Sequence, residues 1–93
     1  MYVIAVYDIS TTDPAGQRRL AQIMKKMRQY LHHTQKSVFE GELSEAKLMA
    51  LQKESKNMIN EQTDYVVFFR IDNKKNIKRQ CIGIQLDPTE VII

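Results

Sequence analysis

An α+β fold with the element order β-α-β-β-α-β is predicted by three observations. Residues 2–10 and 64–71 are dense runs of β-branched and aromatic side chains, the composition of strands buried on both faces. Two longer stretches, beginning near Pro14 and Ser44, instead repeat their apolar residues every three or four positions, as a helix with one buried stripe does. Between them residues 35–43 alternate, with Phe39, Gly41 and Leu43 set against Val38, Glu40 and Glu42, the pattern of a half-buried strand.

The chain has 93 residues, enough for one small domain that buries only about three-fifths of its unfolded surface. The single Cys81 rules out an internal disulfide, so oligomerisation is the expected substitute, and a homodimer follows on physical grounds. Cys81 suits a reducing compartment and is expected to fill a gap inside a strand. The opening run lacks a basic leader and no stretch has the length of a membrane span, so a soluble cytoplasmic protein without a membrane partner is expected. A formal charge of +3 is only a mild bias towards acidic partners.

In the first strand an apolar run ends in one carboxylate, Asp8, followed by Ile9 and Ser10. An isolated buried carboxylate is prohibitively costly, so Asp8 meets water at the sheet rim or is held by a partner. A carboxylate placed there builds a metal or catalytic site in some proteins and merely ends a strand in others. Asp13 then offers a side-chain acceptor as N-cap and Pro14 fits the first helical position, starting a helix over 14–30. Leu20, Ile23, Met24, Met27 and Leu31 form its apolar stripe, and Arg18, Arg19, Lys25 and Lys26 share the other side as a candidate phosphate contact.

His32 and His33 are neighbours in an extended segment and point to opposite faces, so they do not form a metal pair. A hairpin turn is expected near Lys36 and Ser37. Ser44 caps the second helix, which runs to about Asn60 with Leu48, Leu51, Ser55, Met58 and Ile59 inward. Met24, Met27, Met49 and Met58 sit at packing spacings and are expected in or beside the core, which removes any need for a copper reading.

After the strand over 64–71 comes a polar connection, and Lys74, Lys75, Lys78 and Arg79 form a second basic cluster. A further strand is expected over 78–84, weakened at Gly83. Asp87-Pro88 breaks the chain, and residues 88–93, ending in Val91, Ile92 and Ile93, are expected to add an edge strand to a sheet, in a dimer that of the partner. The whole chain, 1–93, is expected to be one domain. Right-handed crossovers place both helices on one sheet face, the ferredoxin-like arrangement. The opposite apolar face then needs a cover, and a second copy packed sheet to sheet supplies it.

Tyr7-Asp8-Ile9-Ser10 at the end of the first strand, followed one helix later by residues 35–43 with Ser37-Val38-Phe39-Glu40-Gly41, closely resembles the CRISPR-associated protein 2 family. The resemblance extends over the whole chain. Departures are Ser10, Thr11 and Thr12, where many members carry acidic residues or an arginine, and Lys36, where an apolar or aromatic residue is common.

The resemblance implies a homodimer in which Asp8 of each subunit approaches its symmetry mate and the pair holds Mg2+, with Mn2+ as the substitute. It implies metal-dependent cleavage of single-stranded RNA or double-stranded DNA, with Asp8 as metal ligand and catalytic group and Ser10 as a group that orients a metal-bound water. It also implies a part in spacer acquisition, bridging the CRISPR integrase while Arg18, Arg19, Lys74, Lys75, Lys78 and Arg79 touch the nucleic-acid backbone. Two carboxylates meeting across a two-fold axis repel unless a cation or a shared proton lies between them. Two rivals stand beside this: a stand-alone ribonuclease toxin of similar fold, and a binding module in which Asp8 is structural. No Ser-His-Asp, Cys-His or zinc-ligand spacing competes.

Overall fold

The computed structural model describes residues 1–83. In β1 (Tyr2–Asp8) the alternation of side chains decides the layers: Val3, Ala5 and Tyr7 are buried towards the helices, while Ile4, Val6 and Asp8 turn to the other side of the sheet. Asp13 caps α1 (Pro14–Tyr30), its carboxylate accepting from the Gly16 N–H at 2.7 Å. The apolar stripe of α1 enters the core shared with Val3, Ala5, Tyr7 and Phe39, with Ile23 and Met27 fully buried and Leu20 and Met24 at the margin.

Two short strands, β2 (His32–Gln35) and β3 (Val38–Glu42), form the expected hairpin, which turns at residues 36–37 and carries an irregularity between His33 and Gln35. Ser44 caps α2 (Glu45–Met58), and β4 (Tyr65–Ile71) completes a four-stranded antiparallel sheet in the order β2-β3-β1-β4. Both helices cover one face. The ferredoxin-like β-α-β-β-α-β fold is thus present as the residue pattern predicts.

Among the described residues the other face is bare of helices. Tyr65, Val67 and Phe69 of β4 lie there beside Ile4, Val6 and Asp8 of β1, and Phe69 is 52% exposed. β4 pairs with β1 as its composition suggests but is an edge strand among the described residues, and its apolar face is open because both helices lie on the opposite side of the sheet.

Several expectations are corrected. The strand expected over 78–84 is absent from its described part: a 3-10 turn (Lys74–Asn76) leads into irregular chain, and Gly83 has a φ of 96°. The cause is Arg79. Its guanidinium donates to the Glu40 carboxylate on β3, so the segment crosses the bare face over β1 instead of running along β4, and Lys74 Nζ passes 5.3 Å over the Tyr2 ring on the way. Glu40, expected to face water, is consequently 3% exposed and also accepts from the Tyr2 and Thr34 hydroxyls, each at 2.9 Å.

Cys81 is exposed and fills no core gap. Met49 is 62% exposed, because it lies about 100° around α2 from Leu48, outside the buried stripe. The edge strand expected over 88–93 lies outside the described residues. Among the described residues no helix is long and apolar enough to cross a membrane.

Candidate functional site

The site is built where β1 leaves the sheet. Asp8 stands in register with Tyr65 of β4, on the bare face and exposed, and its side chain makes no hydrogen bond or ion pair among the described residues. The chain on either side of it is fixed. Tyr7 is buried under the helices, its N–H donating to the Ser37 carbonyl at 3.1 Å and its hydroxyl to the Lys36 carbonyl at 3.2 Å. Burial pushes the Tyr7 hydroxyl above its ordinary pKa, with Arg28 partly opposing. Phe39 packs behind, fully buried, stacked on His33 at 4.5 Å and on Tyr7 at 6.1 Å. His32 is paired with Glu40 in register and His33 with Phe39, so the two rings face opposite ways as expected.

Beyond Asp8, Ile9 is buried and the Ser10 N–H donates to Asp64 Oδ1 at 2.9 Å. The Ser10 carbonyl comes so close to the first turn of α1 that a Cβ on Gly16 would lie 1.9 Å from its oxygen, which closes that position to any side chain. The Ser10 hydroxyl lies 3.3 Å from that of Thr12.

Asp64 is the group that sequence reasoning missed. Its side chain has no exposed surface, and it accepts from Arg19 Nε at 2.8 Å, from the Asn60 N–H at 2.9 Å and from the Thr63 hydroxyl at 2.9 Å as well as from Ser10. Burial works against the charged form, but Arg19 and these donors overcome it and hold the carboxyl well below the usual carboxylate range. The available signal was a lone carboxylate directly ahead of the apolar run 65–69. Its partner lies 45 residues away.

The eight basic residues named from sequence divide into two groups. Arg19 is held by Asp64, Arg79 by Glu40, Lys26 lies 3.1 Å from Gln29 Oε1 and 3.7 Å from Glu54, and Lys74 rests on Tyr2. Arg18, Lys25, Lys75 and Lys78 are exposed, with side chains that make no hydrogen bond or ion pair among the described residues. These four are available to an outside phosphate without breaking an internal contact.

A divalent ion has little to hold it within one protomer: among the described residues no three His, Cys, Asp or Glu side chains cluster. One exposed carboxylate, without a side-chain partner among the described residues, does fit Mg2+, which binds through one or two carboxylates and keeps several waters. A second copy laid on the bare face would bring its own Asp8 to the same side.

A family model described as CRISPR associated protein Cas2 matches residues 1–79. CRISPR-associated endoribonuclease Cas2 2 of Moorella thermoacetica is 40% identical over 88 residues, which cover 95% of this chain and 97% of that one. CRISPR-associated endoribonuclease Cas2 of Dictyoglomus turgidum is 40% identical over 93 residues, the full length of both. Among solved structures, Cas2 of Streptococcus pyogenes at pH 6.5 superposes with a TM-score of 0.79 at 29% identity, covering 89% of this chain and all of that one.

Proposed function

Because the chain belongs to the CRISPR associated protein Cas2 family, we propose that it acts as a homodimeric, metal-dependent endonuclease that holds the nucleic-acid backbone and bridges the CRISPR integrase during spacer acquisition. The observation that carries the reading is Asp8: an exposed carboxylate whose side chain has no partner among the described residues, at the rim of a sheet face on which Tyr65, Val67 and Phe69 stay exposed. A second copy on that face would remove Tyr65, Val67 and Phe69 from water and bring two Asp8 side chains together. Relatives named as endoribonucleases support phosphodiester cleavage as the reaction.

The two Asp8 carboxylates would hold Mg2+, with Mn2+ as a substitute. When bound, the ion supplies an activated water and charge compensation at the phosphate. The chain's own residues do the rest. Asp8 provides the negative oxygens, the Ser10 hydroxyl orients water beside it, and Arg18, Lys25, Lys75 and Lys78 hold the substrate by its phosphates. Single-stranded RNA and double-stranded DNA share that backbone chemistry, and both are substrates to be tried.

The test is cleavage by the native protein and by Asp8→Ala, each with Mg2+ and with a chelator. Native protein with Mg2+ should cut, and the other three combinations should not. Equal activity in the two proteins would remove Asp8 from the reaction and leave the binding-module reading.

Phosphate contacts predict binding that weakens steeply with salt and discriminates little between sequences. Arg18→Glu combined with Lys25→Glu should weaken duplex binding and flatten the salt slope by about 1 per lost contact, measured by fluorescence anisotropy across a salt series. Lys53→Glu, on the exposed side of α2, serves as the control. An unchanged slope in the double variant would reject the α1 face.

A further inference from the structure

Asp64 does more in this structure than neutralise an arginine. It ties three separate segments, the loop after β1 through Ser10, helix α1 through Arg19, and the loop before β4 through Asn60 and Thr63. The first of these contacts falls two residues beyond Asp8, and the residue after Asp64, Tyr65, is the register partner of Asp8 itself. The carboxylate therefore braces the Asp8 backbone from both strands. Gly16 closes the brace from the helix side, since the Ser10 carbonyl occupies the space a side chain would need.

We propose that Asp64, held by Arg19, is a positioning residue for Asp8: it fixes the exit of β1 so that the exposed carboxylate stands at one place on the dimer face. This rests on the reading of Asp8 as a metal ligand. Two carboxylates from different subunits can share one ion only if each backbone is held to a fraction of an ångström, and a misplacement of about 1 Å at a reacting group lowers rate about 100-fold. Arg19 is suited to the brace because its planar fork directs two donors at one carboxylate. It follows that Arg19 acts inside the protomer and is not spent on the nucleic acid.

The experiment compares native protein, Asp8→Asn, Asp64→Asn, Arg19→Lys and Gly16→Ala, all as the full chain. Far-UV circular dichroism and light scattering establish fold and oligomeric state. Mn2+ alone is titrated by calorimetry, and RNA cleavage with Mg2+ is resolved into kcat and KM. Folded Asp64→Asn should bind Mn2+ about 10-fold or more weakly and lose kcat while KM stays within about twofold, because the phosphate contacts are untouched. Arg19→Lys should fall between it and the native protein.

A merely structural Asp64 would leave the folded fraction with native Mn2+ affinity and native kcat, and that result overturns the proposal. Should Asp64→Asn fail to fold, Arg19→Lys and Gly16→Ala decide it in the same way, with native Mn2+ affinity and kcat in both counting against it. If Asp8→Asn itself binds Mn2+ and cleaves like the native protein, the ligand role of Asp8 falls, and the positioning role falls with it.

Discussion

Phe69→Glu is expected to turn the proposed dimer into a monomer, with a rise in dissociation constant of about 1,000-fold or more. Phe69 lies on the bare face of the edge strand β4, between Val67 and Ile71 on the same side of its own strand and paired with Ile4 of β1. With 52% of its surface exposed, its ring contributes little to the core of the protomer. Truncating a buried aromatic anchor in an interface costs about 2 kcal/mol or more. A two-fold axis counts the loss twice, since each copy presents the same patch, and about 4 kcal/mol is about three powers of ten in affinity. The introduced carboxylate adds a further penalty because it would be buried opposite its own mate.

Sedimentation velocity over a concentration series measures the change, with Lys53→Glu as the surface control. The monomer should keep its far-UV spectrum, and it should lose Mn2+ binding and cleavage together, because Asp8 no longer meets its counterpart. Phe69→Glu that sediments as the native dimer would place the interface elsewhere. The two-carboxylate site would go with it.

The elements were legible because each carries its own period. Leu20, Ile23, Met27 and Leu31 mark a helical stripe without reference to anything distant, and the run from Val3 to Tyr7 can be nothing but a strand between neighbours. Asp8 was legible for the same reason, as the residue at which an apolar run stops. What could not be read depends on pairs far apart in the chain. Glu40 alternates like a solvent-facing residue and is buried only because Arg79, 39 residues on, crosses the sheet to meet it.

Arg18 and Arg19 look interchangeable in sequence, yet they are separated by about 100° around α1, and that rotation sends one to water and the other to Asp64. Spacing can identify a face of a helix. It cannot say which charge on that face already has an internal partner.

Asp64→Ala is expected to destabilise the fold by about 3 kcal/mol, because the Ser10 and Asn60 N–H groups lose their acceptor and Arg19 its partner. For a domain of this size that lowers Tm by about 15 °C or more. The loss should depend on pH in one direction. Asp64 has its folded-state pKa lowered from 3.8, so its ionised form is favoured by folding. The contribution linked to that shift is complete above the unfolded value and declines as pH falls towards the folded one. Native protein and Asp64→Ala should therefore differ most at neutral pH, and the gap should narrow progressively as pH falls below about 4.

Asp8→Ala, which removes an exposed carboxylate without a side-chain partner among the described residues, should stay within about 0.5 kcal/mol of native throughout. Urea unfolding at a series of pH values distinguishes these outcomes. A constant gap between the native and Asp64→Ala curves would mean that packing, and not the charge-assisted bonds from Arg19, Ser10, Asn60 and Thr63, is what Asp64 contributes.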